Sequence, residues 1–213
     1  MMILPYVAGP PTYTNPVLRE DAPDPGVLKA GSDYFMATTG GDRQHGAFPI
    51  YHSKDLVNWE DAGSIFAKRK TPGWASGDFW APEIHKVGEG FVAYFTARDR
   101  SGMLRIGAAT SDKVDGPYQD IGQPLVAEPN VGVIDATFFE DEDGTKYLYW
   151  KEDGNAFNPP QPTRIMGQRL EADGLTRSGE AVEVLRNDPE SWEGDIVEAP
   201  ELVKRGDSYF VLY

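Results

Sequence analysis

The chain of 213 residues contains no cysteine, which excludes disulfide bonds and thiol chemistry but leaves the cellular compartment open. It also contains no long apolar run. A helix that spans a bilayer needs roughly 20 predominantly apolar residues in succession, so the sequence predicts no membrane-spanning helix. Basic residues are scarce: 20 Lys and Arg stand against 34 Asp and Glu, for a formal net charge of −14. This charge argues against nucleic acids and membranes as partners, because both attract positive protein surfaces.

The N-terminal residues 1–11 lack the basic region and the continuous apolar region of a signal peptide. The sequence as printed therefore predicts a cytoplasmic protein, or a secreted one if a signal peptide has already been removed. A convincing helical periodicity is also absent. Instead, short apolar runs alternate with turns, and 23 Gly and 17 Pro residues are typical of an all-β protein with many short strands.

The sequence contains four copies of a unit that resembles a β-hairpin. In each copy, two apolar runs are joined by a turn that contains glycine, which is the usual signal for a hairpin. The four turn glycines are 57, 56 and 62 residues apart, and they are Gly31, Gly88, Gly144 and Gly206. Repeats longer than about 40 residues in an all-β sequence indicate the four-stranded blades of a β-propeller.

The repeat predicts a single partial propeller domain over residues 1–213. The expected blades cover residues 15–70, 79–128 and 133–187, and a fourth blade starts at residues 195–213. Five blades of this length need about 290 residues, so three blades and half of a fourth make an incomplete five-bladed ring. Because exposed strand edges are a liability, we expect a second copy of the chain or a separate chain to complete the propeller.

Three carboxylates stand at the start of the first strand of a repeat: Asp24, Asp135 and Glu198. The first strand of each blade lines the central channel of a propeller, so these side chains are expected to converge there. Crowding of like charges raises the pKa of at least one of them. Two carboxyls with separated pKa values, one acting as acid and one as base, are what glycoside hydrolysis requires.

Several motifs surround these carboxylates in a fixed order. They are Asn-Pro-Val at 15–17, Pro-Asp-Pro at 23–25, Phe-Trp-Ala-Pro-Glu at 79–83, Ile-Asp at 134–135 with its acidic turn at 141–144, and Val-Glu-Ala-Pro at 197–200. Together they resemble glycoside hydrolase family 43, from about residue 15 to residue 213. The resemblance implies a five-bladed β-propeller that acts as an inverting α-L-arabinofuranosidase, arabinanase or β-xylosidase.

The resemblance also implies a role for each carboxylate. Asp24 matches the general base that activates water, and Glu198 matches the general acid that protonates the leaving oxygen. Asp135 matches the residue that raises the pKa of the acid and holds it in place. No organic cofactor is implied. The last one and a half blades of the family have no counterpart in the sequence. The histidine that helps to form a central calcium or water site in many members has no counterpart either. Calcium in the channel is therefore allowed by the resemblance but not required.

Aromatic side chains are candidates for stacking on a sugar ring. Trp80 is the first choice because it stands at the start of the strand of the second repeat that is expected to line the channel. Trp74 is the second choice and Phe48 the third, because both adjoin long loops. Arg164 is a candidate for contacts to sugar hydroxyls. No metal-ligating residue is predicted, because the three histidines are isolated from one another and from ligand-like spacings; they are His45, His52 and His85.

The sequence therefore predicts an inverting glycosidase that removes terminal pentose residues from arabinose- or xylose-containing oligo- or polysaccharides. α-L-Arabinofuranosides are the leading substrates, on the weak signal of residues 151–156 and 162–165, and β-xylosides come second. One alternative is a retaining fructosidase-type propeller, which has an Asn where Pro23 precedes Asp24 here. The other alternative is a catalytically inactive sugar-binding propeller fragment that needs the missing blades for activity.

Overall fold

The computed structural model describes residues 12–42 and 44–213, and it confirms the all-β fold that the sequence predicts. Residues 1–11, on which the expectation of a cytoplasmic location rests, lie outside the described residues. Within the described ranges there is no α-helix, and one 3₁₀ helix covers Gly154–Ala156. No helix in this part of the chain is long and apolar enough to cross a membrane.

The described strands form four antiparallel sheets in chain order. The first contains β1 (Gly26–Ala30), β2 (Asp33–Ala37), β3 (Gly41–Asp42), β4 (Gly46–Ser53) and β5 (Trp59–Phe66). The second contains β6 (Ala75–Val87), β7 (Gly90–Asp99), β8 (Leu104–Ser111) and β9 (Gln119–Asp120). The third contains β10 (Val133–Glu140), β11 (Lys146–Glu152), β12 (Arg164–Leu170) and β13 (Arg177–Arg186), and the fourth contains β14 (Glu201–Arg205) and β15 (Ser208–Leu212).

Each sheet opens with a hairpin at the place that the repeat predicts. The pairs β1–β2, β6–β7, β10–β11 and β14–β15 are all antiparallel. The four turn glycines have positive φ angles between 58° and 82°. Glycine adopts this conformation without a Cβ clash, which explains why it recurs at the four turns. The three complete sheets are therefore propeller blades, and the fourth sheet is the first hairpin of another.

Two hydrophobic cores lie between consecutive sheets. The first core joins the first and second sheets through the rings of Phe48, Phe66 and Phe95, whose centroids are 5.1–6.0 Å apart. The second core joins the second and third sheets, and the fully buried Tyr94 and Trp150 contribute to it. Each blade thus buries its faces against its neighbours, which leaves the first strand of every sheet facing the common axis.

Phe48 lies in the first of these cores, and this corrects its assignment as a sugar contact. Its side chain is completely buried, and its ring is 5.6 Å from the ring of Phe79, measured between centroids. The glycine-rich loop before Phe48 suggested an open position. The structure instead places it in β4, which is paired with three other strands and is covered by the next sheet.

Replacement of Phe48 by alanine is expected to reduce the free energy of unfolding by about 3–5 kcal/mol, because it leaves a cavity among three aromatic rings. Urea unfolding followed by tryptophan fluorescence measures this loss. Phe210→Ala is the matched control, since half of the Phe210 side chain is exposed, and it is expected to cost less than about 1.5 kcal/mol. Equal losses in the two variants would contradict the core position of Phe48.

Candidate active site

The first strand of each sheet faces the common axis, and we call these strands, β1, β6, β10 and β14, the channel strands. The backbone is strained near the head of each channel strand. Near the head of each of these strands lies a residue other than glycine with a positive φ angle: Asp24 (50°), Ala81 (42°), Asp135 (55°) and Ala199 (50°). Residues other than glycine rarely adopt this conformation, which costs about 1–3 kcal/mol and is concentrated at functional sites. The pairing registers of β6–β7 and β10–β11 also shift across this position, so that the strands bulge where the four sheets meet.

The preceding blade satisfies the backbone N–H of three of these strained residues. Ala81 N donates to Thr39 Oγ1 at 2.6 Å, and Asp135 N donates to Thr96 Oγ1 at 3.1 Å. Ala199 N donates to the carboxylate Oδ2 of Asp135 at 3.1 Å. Sequence reasoning missed the two threonines, although both lie near the end of the second strand of a repeat. Each blade therefore holds the strained turn of the next one in place.

One cavity of about 560 Å³ lies at the heads of the four channel strands, and Asp24, Asp135 and Glu198 all line it. Trp80 lines the same cavity. The structure thus brings together the three carboxylates and the first aromatic candidate that the sequence singled out. The described lining residues include no Lys or Arg and five carboxylates, which are Asp24, Glu83, Asp135, Glu198 and Glu201. Such a lining suits a neutral ligand better than an anionic one.

Asp24 is exposed to solvent, as Glu198 is, whereas Asp135 is only partly exposed. Its Oδ2 accepts a hydrogen bond of 2.5 Å from Thr39 Oγ1. Because the same hydroxyl oxygen accepts the N–H of Ala81, its own hydrogen is directed at Asp24. The carboxylate is therefore oriented by a neutral donor while it stays open to water, which is what a general base requires.

Asp135 is the carboxyl whose proton affinity the fold changes most clearly in this cavity. Its pKa is raised to about 6, chiefly by burial and in smaller part by the negative charges of Glu198 and Asp24. The N–H of Ala199 and the ammonium of Lys151 act in the opposite direction. The sequence attributed a raised pKa to crowding of carboxylates, whereas in the structure desolvation is the larger cause. Asp135 therefore changes its charge near neutral pH.

Glu198 is held by the third sheet from two sides. Its Oε2 accepts a hydrogen bond of 3.0 Å from Lys151 Nζ, and the N–H of the preceding Val197 donates to Thr163 Oγ1 at 2.8 Å. About half of the Glu198 side chain, 54%, is exposed in the cavity. Sequence reasoning missed Lys151 as part of the site. The available signal was a lysine directly after the aromatic and apolar residues 147–150 of β11.

The family model of Glycosyl hydrolases family 43 matches residues 13–213 of this chain. The chain belongs to this family. A solved structure described as a thermostable family-43 glycoside hydrolase has a TM-score of 0.82 and 33% sequence identity, and the match covers 94% of this chain and 66% of the other. Because such neighbours are five-bladed propellers, the four sheets described above form part of a family 43 propeller.

Two curated relatives carry names that describe pentosidases. A xylosidase/arabinosidase 43B from Humicola insolens is 29% identical to this chain over 95% of its residues and 37% of the relative. A xylan 1,3-beta-xylosidase from Vibrio sp is 26% identical over 94% of this chain and 37% of the relative. The chain therefore spans a little over a third of the length of these relatives.

Two further candidates of the sequence lie outside the cavity of this family 43 chain. The ring of Trp74 stacks on Phe95 with a centroid distance of 6.1 Å, and its Nε1 donates to Asp120 Oδ1 at 3.3 Å. Its loop suggested exposure, but the indole packs against the first core. Arg164 pairs with Glu152, its neighbour on β11, and lines a separate cavity of about 290 Å³. Both assignments to the sugar site are therefore corrected.

A calcium site finds no support in this family 43 chain. Within residues 12–42 and 44–213, no group of three or more His, Cys, Asp or Glu side chains is arranged to hold a metal ion. The carboxylates of the cavity instead use neutral donors and one ammonium as partners. The described residues thus do not fit the calcium that the resemblance allowed, and no step of the chemistry is assigned to it.

Proposed function

We propose that this chain carries the catalytic carboxylates of a glycosidase that hydrolyses terminal pentose residues with inversion of configuration. The observation that carries the proposal is that Asp24, Asp135 and Glu198, from three different sheets, line one cavity of about 560 Å³. This volume lies within the usual range of small-molecule sites. Membership of family 43 and relatives named xylosidase and arabinosidase support the pentose substrate class.

In the proposed reaction, Asp24 removes a proton from a water molecule, which attacks the anomeric carbon on the face opposite the leaving group. Glu198 gives its proton to the glycosidic oxygen as the bond between that oxygen and the anomeric carbon breaks. The exposed position of Asp24 gives a water molecule access to it. The direction of the Thr39 hydroxyl keeps the carboxylate oriented toward this task.

Asp135 supports Glu198 in this proposal without taking part in proton transfer. Its Oδ2 binds the N–H of Ala199, the residue that follows Glu198, so it fixes the turn that carries the acid. The two carboxyl groups are also close enough to interact electrostatically. An ionised Asp135 therefore disfavours a second negative charge beside it, which keeps a proton available on Glu198.

The substrate class follows from the wall of the cavity. Trp80 offers an aromatic face to a sugar ring, and the absence of Lys and Arg among its described lining residues favours a neutral glycoside. α-L-Arabinofuranosides are the first substrates to test and β-xylosides the second, and one relative bears both activities in its name.

Incubation of the chain with aryl α-L-arabinofuranosides and aryl β-xylosides is expected to release the aryl group, with the inverted sugar anomer as first product in a proton NMR time course. Glu198→Gln is expected to lower kcat/KM for glycosides with alkyl or sugar leaving groups by about 10²–10⁴-fold, because the amide has no proton to give, and to lower it less for nitrophenyl glycosides. Glu89→Gln, in the exposed turn between β6 and β7, is the matched control and leaves kcat/KM unchanged.

Other outcomes separate the alternatives. A retained anomer would favour the fructosidase-type mechanism over inversion. Binding of arabinose or xylose without any hydrolysis would support the sugar-binding alternative. Hydrolysis of alkyl or sugar glycosides that survives Glu198→Gln would remove this residue from the proposed site.

A further inference from the structure

Lys151 occupies a position where a lysine is unfavourable. It lies in β11 between Ile134 of β10 and Ile165 of β12, and only 1% of its side chain is exposed. Its ammonium contacts Asp153 Oδ1 and Glu198 Oε2, both at 3.0 Å. Because a buried ammonium without a partner is strongly destabilising, the fold depends on these two carboxylates to keep the lysine charged.

The two partners of Lys151 differ in what surrounds them. Asp153 is largely buried, with 12% of its side chain exposed, and its backbone N–H donates to Gly132 O at 2.8 Å. Glu198 is half exposed and lines the cavity, whereas Asp153 does not line it. Lys151 therefore has one permanent partner and one partner whose charge changes in the proposed reaction.

We propose that Lys151 is a positioning residue that stabilises the negative charge formed on Glu198 when the leaving group is protonated. In this step the proton moves from Glu198 to the glycosidic oxygen, the bond from that oxygen to the anomeric carbon breaks, and its electron pair stays on the oxygen. Glu198 is left as a carboxylate beside Lys151, which gives up no proton. Asp153 keeps the ammonium paired while Glu198 is protonated. This inference rests on the proposed function and deepens it.

The charged groups that face Glu198 come from two other sheets, the third and the first. Lys151 and Asp153 belong to the third sheet, as does Asp135 on its channel strand, and Asp24 lies at the head of the first sheet. The charge of Lys151 also acts on Asp135. The carboxylates disfavour a further negative charge on Glu198, whereas Lys151 favours it, so removal of Lys151 leaves only the opposing influence.

Two substitutions are expected to shift the pH dependence of hydrolysis in opposite directions. Lys151→Met removes the ammonium, so the alkaline limb of the kcat/KM profile is expected to move to higher pH, with a loss of at least about ten-fold for alkyl or sugar leaving groups. The loss is smaller for nitrophenyl glycosides, which need little protonation. Asp153→Asn leaves the ammonium with Glu198 alone, so the alkaline limb is expected to move to lower pH.

Lys146→Met is the matched control. Lys146 lies on the same strand, only 10% of its side chain is exposed, and its ammonium is 3.2 Å from Glu140 Oε1. It is expected to alter stability but neither the pH profile nor the dependence on leaving group. Asp153→Asn preserves an acceptor for Lys151, so it tests the proposal even where Lys151→Met does not fold. Shifts in the same direction for Lys151→Met and Asp153→Asn, or a shift caused by Lys146→Met, overturn the proposal.

A measurement without turnover keeps this proposal separate from the proposed function. In a chain with carbon-13-labelled glutamate carboxyls, the Glu198 signal is identified by its absence in Glu198→Gln. It is expected to titrate at higher pH in Lys151→Met than in the unsubstituted chain. An unchanged titration overturns the role of Lys151, whereas a chain that hydrolyses no glycoside but shows this shift overturns only the proposed function.

Discussion

Asp24→Asn is expected to lower kcat for aryl pentosides by about 10²–10⁴-fold while the Kd for the free pentose stays within about three-fold. The amide cannot accept a proton from water, but its Oδ1 can still accept the hydrogen bond of Thr39 Oγ1. Asparagine also tolerates the positive φ angle of this position, as aspartate does. The loss should therefore fall on catalysis, which steady-state kinetics and isothermal titration calorimetry measure separately.

Asp21→Asn is the control for this experiment, because Asp21 is an exposed aspartate three residues earlier in the same segment. It is expected to leave both kcat and Kd unchanged. If Asp24→Asn kept more than a tenth of the activity, or if it weakened pentose binding as much as it lowered kcat, the role of Asp24 as general base would be refuted.

Asp135→Asn is expected to stabilise the protein above pH 6 and to impair hydrolysis at the same time. The folded-state pKa of Asp135 is raised, chiefly by burial, to about 6 from its ordinary value of 3.8. Between these values the folded chain binds more protons than the unfolded chain, so the free energy of unfolding decreases as pH rises through this window. A pKa shift of this size lowers the free energy of unfolding at pH 8 by at most about 3 kcal/mol. The neutral asparagine is expected to restore this free energy of unfolding at pH 8 but not at pH 3.

Thermal unfolding at several pH values tests this expectation. For a chain of this length, each kcal/mol raises Tm by about 2–4 °C. The asparagine Oδ1 can still accept the N–H of Ala199, so the turn after Asp135 is preserved. Asp207→Asn, in the exposed turn between β14 and β15, is the control and should show no stabilisation at pH 8. A stabilisation by Asp135→Asn that is the same at pH 3 and pH 8 would show that packing, not charge, is its cause.

The gain in stability and the loss of activity have the same origin. In the proposed function, the charge of Asp135 and its hydrogen bond to Ala199 serve the acid beside it, and these same features place a carboxylate at a partly buried position with a strained backbone. Substitutions that relieve such strain commonly stabilise a protein and reduce its activity. This combination, measured on one variant, would distinguish a functional carboxylate from a structural one.

The architecture was predictable because its information is local. The turn glycines Gly31, Gly88, Gly144 and Gly206 mark hairpins, and a hairpin depends on residues that are adjacent in the sequence. Their spacing was enough to indicate propeller blades. The convergence of Asp24, Asp135 and Glu198 was also predictable, since each precedes or opens the first strand of a repeat, and these strands line the axis of a propeller.

Side-chain environment was predicted less well. Phe48, Trp74 and Arg164 adjoin loops or strand ends and have the chemistry to bind a sugar, yet two of them pack in the first core and the third pairs with Glu152. The same residue types serve packing and recognition, and the local pattern is identical in both cases. The difference depends on which surface of another sheet lies opposite the side chain.

The amino-acid pattern alone was sufficient for the hairpins, the blade repeat and the positions of the acidic residues along the axis, because strands, turns and alternation arise from neighbouring residues. The contacts that make these acids unequal came from the folded chain: Thr39 with Ala81, Thr96 with Asp135, Asp135 with Ala199, and Lys151 with Glu198. These pairs are separated by 39 to 64 residues. Burial and hydrogen bonding between blades exist only once the sheets have packed, so no local pattern could contain them.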